Sequence, residues 1–158
     1  MSSDVRWLTA KEERVWRRWL TLNARLSGTL QRELQNDAGM SMSDYEVLVH
    51  LTDSPAGRVR VTDLARLLQW ERSRVSHHVT RMESRRLVQR VECAEDGRGA
   101  FVVITPQGRA AIEEAAPGHV NTVRRLVFDA LSPEEVDAFA TIIEKALAQL
   151  DNEPGKAP

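Results

Sequence analysis

The stretch RSRVSHHVTRMESRRLVQR, residues 72–90, crowds Arg and His around three apolar residues, Val75, Val79 and Met82, spaced four and three apart. At about 100° per residue those three share one side of a helix over 72–86. Ser73, Ser76, His77, Thr80 and Arg81 point broadly the other way, with Arg74, His78 and Arg85 on the flank. A solvated face usually mixes signs, but inside this helix only Glu83 opposes the cations. The outer face therefore carries hydrogen-bond donors of several lengths. Such a set suits the base edges of a DNA major groove: guanidinium for guanine, hydroxyl and imidazole for other edges or for phosphate. Glu71 and Ser73 lie near its start, the end from which a recognition helix usually reaches bases.

A second group of the same chemistry follows at Asp96-Gly97-Arg98-Gly99. Asp-Gly is a hairpin signal, and the glycines keep the turn narrow. An Arg on a narrow β-tip fits a minor groove, where it reads width and potential more than base identity. Asp96, two residues away, is placed to orient the Arg98 guanidinium.

The elements that must hold these groups are marked by their starts. Thr9-Ala10-Lys11-Glu12 is a capping box, followed by an apolar stripe of Trp16, Trp19, Leu20, Leu22, Leu26, Leu30 and Leu34. This predicts a helix of about 28 residues, roughly 40 Å long at ~1.5 Å per residue. Ser43-Asp44-Tyr45-Glu46 reads as a second capping box, opening a short helix that stops at Ser54-Pro55-Ala56-Gly57. Val59-Arg60-Val61 is extended, and Thr62 is placed to cap a helix over 63–68. After the Arg-rich helix, LVQRVECA alternates as a strand and AFVVIT returns as its partner. Thr105-Pro106 starts a helix running towards Leu131, with a kink or break expected at Pro117-Gly118. Ser132-Pro133-Glu134-Glu135 is a third capping box, before Val136, Phe139, Ile142, Ile143, Leu147 and Leu150.

The fold class expected is mainly α with a small β-hairpin wing (α+β). It is a winged helix-turn-helix with N- and C-terminal dimerisation helices. The organisation expected is a dimerisation helix over 1–36, the winged unit over 37–105, C-terminal dimerisation helices over 106–151 and a flexible tail over 152–158.

Bulk properties agree with this and exclude much else. The 158 residues are 42% hydrophobic and 28% charged, with a formal net charge of −1. The distribution matters more than the sum. Residues 58–98 hold ten Arg against six acids, a net of +4; residues 129–158 hold seven acids against two Lys, a net of −5. A basic middle and an acidic end suggest a polyanion-binding face carried by a part with another task. The single Cys, Cys93, allows no disulfide within the chain, and no apolar run approaches a membrane span. The chain reads as soluble and cytoplasmic, with no membrane partner. No phosphate-cradling Gly loop, GxSxG elbow or HExxH is present, so no catalytic residue and no cofactor are expected. His77 and His78 diverge by ~100° on a helix and no ligand set joins them, so no metal is expected either.

The segment VTDLARLLQWERSRVSHHVTRMESRRLVQRVECAEDGRGAFVVITPQGR resembles the DNA-binding core of MarR-family transcriptional regulators. DLA, RS-x-VS, LV-x-R, DGRG and ITPQGR stand in the family's order, and SDYEVLVHL and LSPEEV extend the likeness over nearly the whole chain. The resemblance implies a homodimeric repressor, or less often an activator, that binds double-stranded DNA at a pseudo-palindromic operator. It also implies release by a small aromatic or anionic effector. By position it makes Arg72, Ser73, Arg74, Ser76, His77 and Arg81 the recognition-helix contacts, Arg98 the wing-tip contact and Asp96 its orienting partner. One departure stands out: Arg86 occupies a place where the family often has Gly. If that turn is left-handed, Arg costs about 1–2 kcal/mol there.

The terminal helices offer more apolar surface than one lobe needs, which points to a two-fold dimer presenting two recognition helices about 34 Å apart. An effector pocket between the first, second and fifth helices would be lined by Trp16, Trp19, Asn23, Arg25 and His50. Two alternatives stay open: an architectural DNA binder without sequence preference, and redox sensing through Cys93. Neutral His77 and His78 would weaken phosphate attraction, so DNA affinity is expected to rise below about pH 6.5.

Overall fold

The computed structural model describes residues 5–92 and 99–153. Helix α1 spans Ala10–Ala38. Both halves of its capping box form: the Thr9 amide donates to Glu12 Oε2 at 2.7 Å and the Glu12 amide to Thr9 Oγ1 at 3.3 Å. Gly39 ends it at φ +61°, a left-handed position that glycine takes without a Cβ clash. Of the apolar stripe only Leu34 is buried; the N-terminal half stands clear of the lobe.

Helix α2, Met42–Asp53, starts two residues earlier than the Ser43–Glu46 pattern predicts. Ser41 is the cap and Asp44 the third helical residue, each bonded to the other's amide. Asp44 wins over Glu46 because it is also held from outside the helix, as described below. After a turn at Gly57, strand β1 (Arg58–Arg60) leads directly into α3, Val61–Leu68. Arg60 occupies the cap position and its side chain makes no capping bond to the helix, so Thr62 lies within the helix and is not its cap.

Helix α4 is Arg72–Ser84, followed by strands β2 (Val88–Glu92) and β3 (Ala100–Ile104). The sheet is antiparallel in the order β1-β3-β2, with Arg60 opposite Phe101 and Val88 opposite Ile104. The hairpin predicted from the sequence thus gains β1 as a third strand. Thr105 caps α5 (Pro106–Val123) through Gly108, and a π-helical turn over Arg124–Phe128 follows. Pro117 does not break α5. Pro117 and Glu113, whose carbonyl loses its helical donor, are both exposed. The irregularity falls instead at the π turn, where the Asp129 amide bonds the Arg124 carbonyl. Helix α6, Pro133–Asp151, opens with the Ser132–Glu135 capping box and buries no residue.

One core joins these pieces. Val47, Leu48 and Leu51 of α2, Leu64 of α3, Val75, Val79 and Met82 of α4, and Val88 and Val102 of the sheet are nearly inaccessible. Each such side chain contributes about 1.5–3 kcal/mol of burial. The core therefore clamps the inner face of α4 and fixes which face looks out. Gly108 seats α5 against the Leu87 carbonyl, where any Cβ would overlap that oxygen.

Candidate nucleic-acid interface

On α4 the outward residues are Arg72, Ser73, Arg74, His77, Thr80 and Arg81, all exposed. Ser76 is half-buried, and its carbonyl and hydroxyl accept from Arg90 of β2 at 3.2 and 3.4 Å. The Arg74 guanidinium lies 4.0 Å above the Trp70 ring, a cation–π contact that holds it at the entrance of α4.

His78 departs from the flank position expected of it. It is 6% exposed, edge-on to Trp70 at 5.4 Å, with Nε2 3.0 Å from Asp44 Oδ1. That approach is close but off the line of a straight hydrogen bond. His78 is thus removed from the outer face of α4, where His77 alone of the two remains exposed. Arg85, also expected on the flank, forks onto both oxygens of Asp44 at 2.8 and 2.7 Å. Burial alone would raise the Asp44 carboxyl pKa. The bonds from His78, Arg85 and Ser41, with the Arg85 charge, outweigh it and hold the group well below the usual carboxylate range. Bonding to Asp44 in turn raises Arg85. Arg81 donates to His78 Nδ1 at 3.0 Å. An open cleft of about 560 Å³ lies over this cluster, walled by the end of α1, the start of α2 and the Trp70–Arg85 face.

On the sheet, Arg58 and Arg60 lie 4.7 and 5.0 Å from the Phe101 ring centroid. Asp96, Arg98 and Cys93 lie outside the described residues. Trp16, Trp19, Asn23 and Arg25 are exposed on α1 and His50 is half-buried on α2. The clefts at Trp70, at His119 and at Gly57 are lined by other residues. Trp70 and Arg90 are the site residues that sequence reasoning did not single out; Asp44 figured there only in a capping box and Arg85 only on the helix flank.

A short helix, a tight turn, a helix with one face buried and a cationic face outward, and a three-stranded sheet beside it define a winged helix-turn-helix. Residues 38–99 match the model of the MarR family. The solved structure of Sco3205, a MarR family transcriptional regulator from Streptomyces coelicolor in complex with DNA, is 41% identical, covers 97% of this chain and 95% of its own, and superposes with a TM-score of 0.90. AbsC, a MarR family transcriptional regulator from the same organism, is 39% identical over 94% of this chain and 100% of its own, with a TM-score of 0.89. The chain belongs to the MarR family of transcriptional regulators. The HTH-type transcriptional repressor YetL of Bacillus subtilis is 26% identical over 105 residues, spanning 66% of this chain and 62% of that repressor. No helix among the described residues is long and apolar enough to cross a membrane.

Proposed function

We propose that this chain is a homodimeric, sequence-specific DNA-binding regulator, a repressor that sits on a pseudo-palindromic operator and leaves it when a small aromatic or anionic effector binds. The observation that carries this reading is α4 itself: its inner face is locked into the core while Arg72, Ser73, Arg74, His77 and Arg81 stand outward together. Ser76 supplies a polar group at the helix centre, and Arg98, with Asp96 as its partner, is the further DNA contact that the family resemblance implies. The DNA complex of Sco3205 and the repressor role of YetL support the same assignment. The dimer is supported by the exposed apolar faces of α1 and α6, the helices assigned to dimerisation. In a dimer Trp16, Trp19, Asn23 and Arg25 face a second subunit, which is where an effector wall with His50 belongs.

The test is a footprint on DNA upstream of the chain's own gene, with excess nonspecific competitor. A protected, two-fold-related site of about two helical turns is expected. Binding that collapses with competitor and salt, on this DNA and on fragments selected genome-wide, would replace this reading with an architectural one.

A further inference from the structure

We propose that Asp44 and His78 are positioning residues that aim Arg81, so that part of the base preference of α4 is set from inside the lobe. This rests on the DNA-reading function proposed above.

A guanidinium has donors only. The 3.0 Å contact between Arg81 Nη2 and His78 Nδ1 therefore makes Nδ1 an acceptor, without a proton. The ring's remaining proton sits on Nε2, the nitrogen that faces Asp44 Oδ1. Asp44 is not free to rearrange. It is 2% exposed, both its oxygens are engaged by Arg85, and Oδ2 accepts from the Ser41 amide at the start of α2. His78 is wedged against Trp70. Carboxylate, imidazole and guanidinium thus form a line running from the cap of α2 to the outer face of α4.

The line has a consequence for recognition. An untethered Arg on a helix surface samples many rotamers, whereas bidentate reading of guanine needs the guanidinium fork in one plane. With one of its amino groups committed to His78, Arg81 presents its remaining donors in a fixed plane. The opposite tautomer, with the proton on Nδ1, sets donor against donor and releases Arg81. The Asp44 carboxylate, 3.0 Å from Nε2 though off the line of a straight hydrogen bond, disfavours this by drawing the proton to Nε2 through its charge. Arg81 is the group that touches DNA; Asp44 and His78 act through it.

Two measurements on the full chain test the relay. Nitrogen-15 NMR of the His78 ring, assigned by its loss in His78→Asn, is expected to show a proton on Nε2 and none on Nδ1; the reverse tautomer overturns the proposal. The second measurement is selection of bound sequences from a random DNA pool, for wild type and the variants Arg81→Ala, His78→Leu and His78→Asn. Arg81→Ala is expected to lose about tenfold discrimination at one base pair of each half-site. His78→Leu is expected to relax that same base pair, with the salt dependence of binding unchanged because no phosphate contact is lost. His78→Asn keeps an acceptor where Nδ1 stood and is expected to retain the preference. A His78→Leu chain that folds and selects as wild type does overturns the proposal, as does uniform relaxation at every position. A wild type without sequence preference overturns the DNA-reading function instead, and leaves the tautomer measurement to judge the hydrogen-bond line.

Discussion

The Arg90 guanidinium reaches from β2 to the Ser76 carbonyl, 3.2 Å away at the middle of α4. Its backbone amide donates to Glu83 Oε1 at 2.6 Å, so one residue ties the wing to the recognition helix at two points. The Arg90 Nε is buried and has no hydrogen-bond partner among the described residues. Arg90→Ala is expected to cost about 1–2 kcal/mol of stability. It is also expected to weaken operator binding more than nonspecific binding, because the two reading elements lose their relative orientation. Urea unfolding beside competition binding measures both; equal loss on all DNA would make Arg90 a phosphate contact.

Arg86 has φ +61°, so the turn from α4 into β2 is left-handed at a residue with a Cβ. Its amide bonds the Glu83 carbonyl and its side chain is exposed, so glycine preserves the local bonding. Arg86→Gly is expected to stabilise the chain by about 1 kcal/mol, the relief of left-handed strain reduced by the entropy glycine adds to the unfolded state. A shift of the urea midpoint upward at unchanged slope checks it.

These two sites show what was legible in the sequence. The Arg86 position was legible only through the family resemblance, which marks a frequent Gly there, and the structure makes the turn left-handed. The capping boxes at Thr9 and Ser132 and the Thr105-Pro106 start were readable because local chemistry decides them. The start of α2 was not, because Ser41-x-x-Asp44 and Ser43-x-x-Glu46 satisfy one pattern, and only Arg85, 41 residues away, chooses between them. His78 was hidden by its residue type. It lies three after Val75 and four before Met82, so the period already put it on the buried face, but a polar side chain there needs a partner that no local pattern shows. The three-residue β1 is too short to alternate, and its pairing with β3 is tertiary.

His119 on α5 lies with its ring 4.5 Å from that of Tyr45, and burial lowers its pKa. Between its folded value and the unfolded value of about 6.5 the unfolded chain binds more protons. Its contribution is therefore complete above about pH 6.5 and is lost as pH falls through that window. Asp44, held far lower, changes nothing there. Relative to His119→Gln, wild type is expected to lose melting temperature between about pH 7 and pH 5, a difference that cancels the other histidines. Parallel curves would place His119 in water.

The final prediction concerns the surface that one chain leaves open. No residue of α6 is buried, and Ile142, Leu147 and Leu150 are 64, 54 and 56% exposed along it, while Trp16 and Trp19 are 51 and 41% exposed on α1. Large apolar side chains exposed in such number on two helices fit an interaction site. Residues 129–153 are strongly acidic, whereas Lys11, Arg14, Arg17, Arg18 and Arg25 line α1, so the two faces also complement each other in charge. Leu147→Glu together with Ile143→Glu is expected to convert the proposed dimer to a monomer in sedimentation. The lobe should keep its cooperative melting, because neither residue belongs to its core. Operator affinity is expected to fall at least about tenfold, since a single half-site then acts alone. A double variant that stays dimeric would move the interface off α6, and a monomer that binds the operator as tightly as wild type would separate dimerisation from DNA reading.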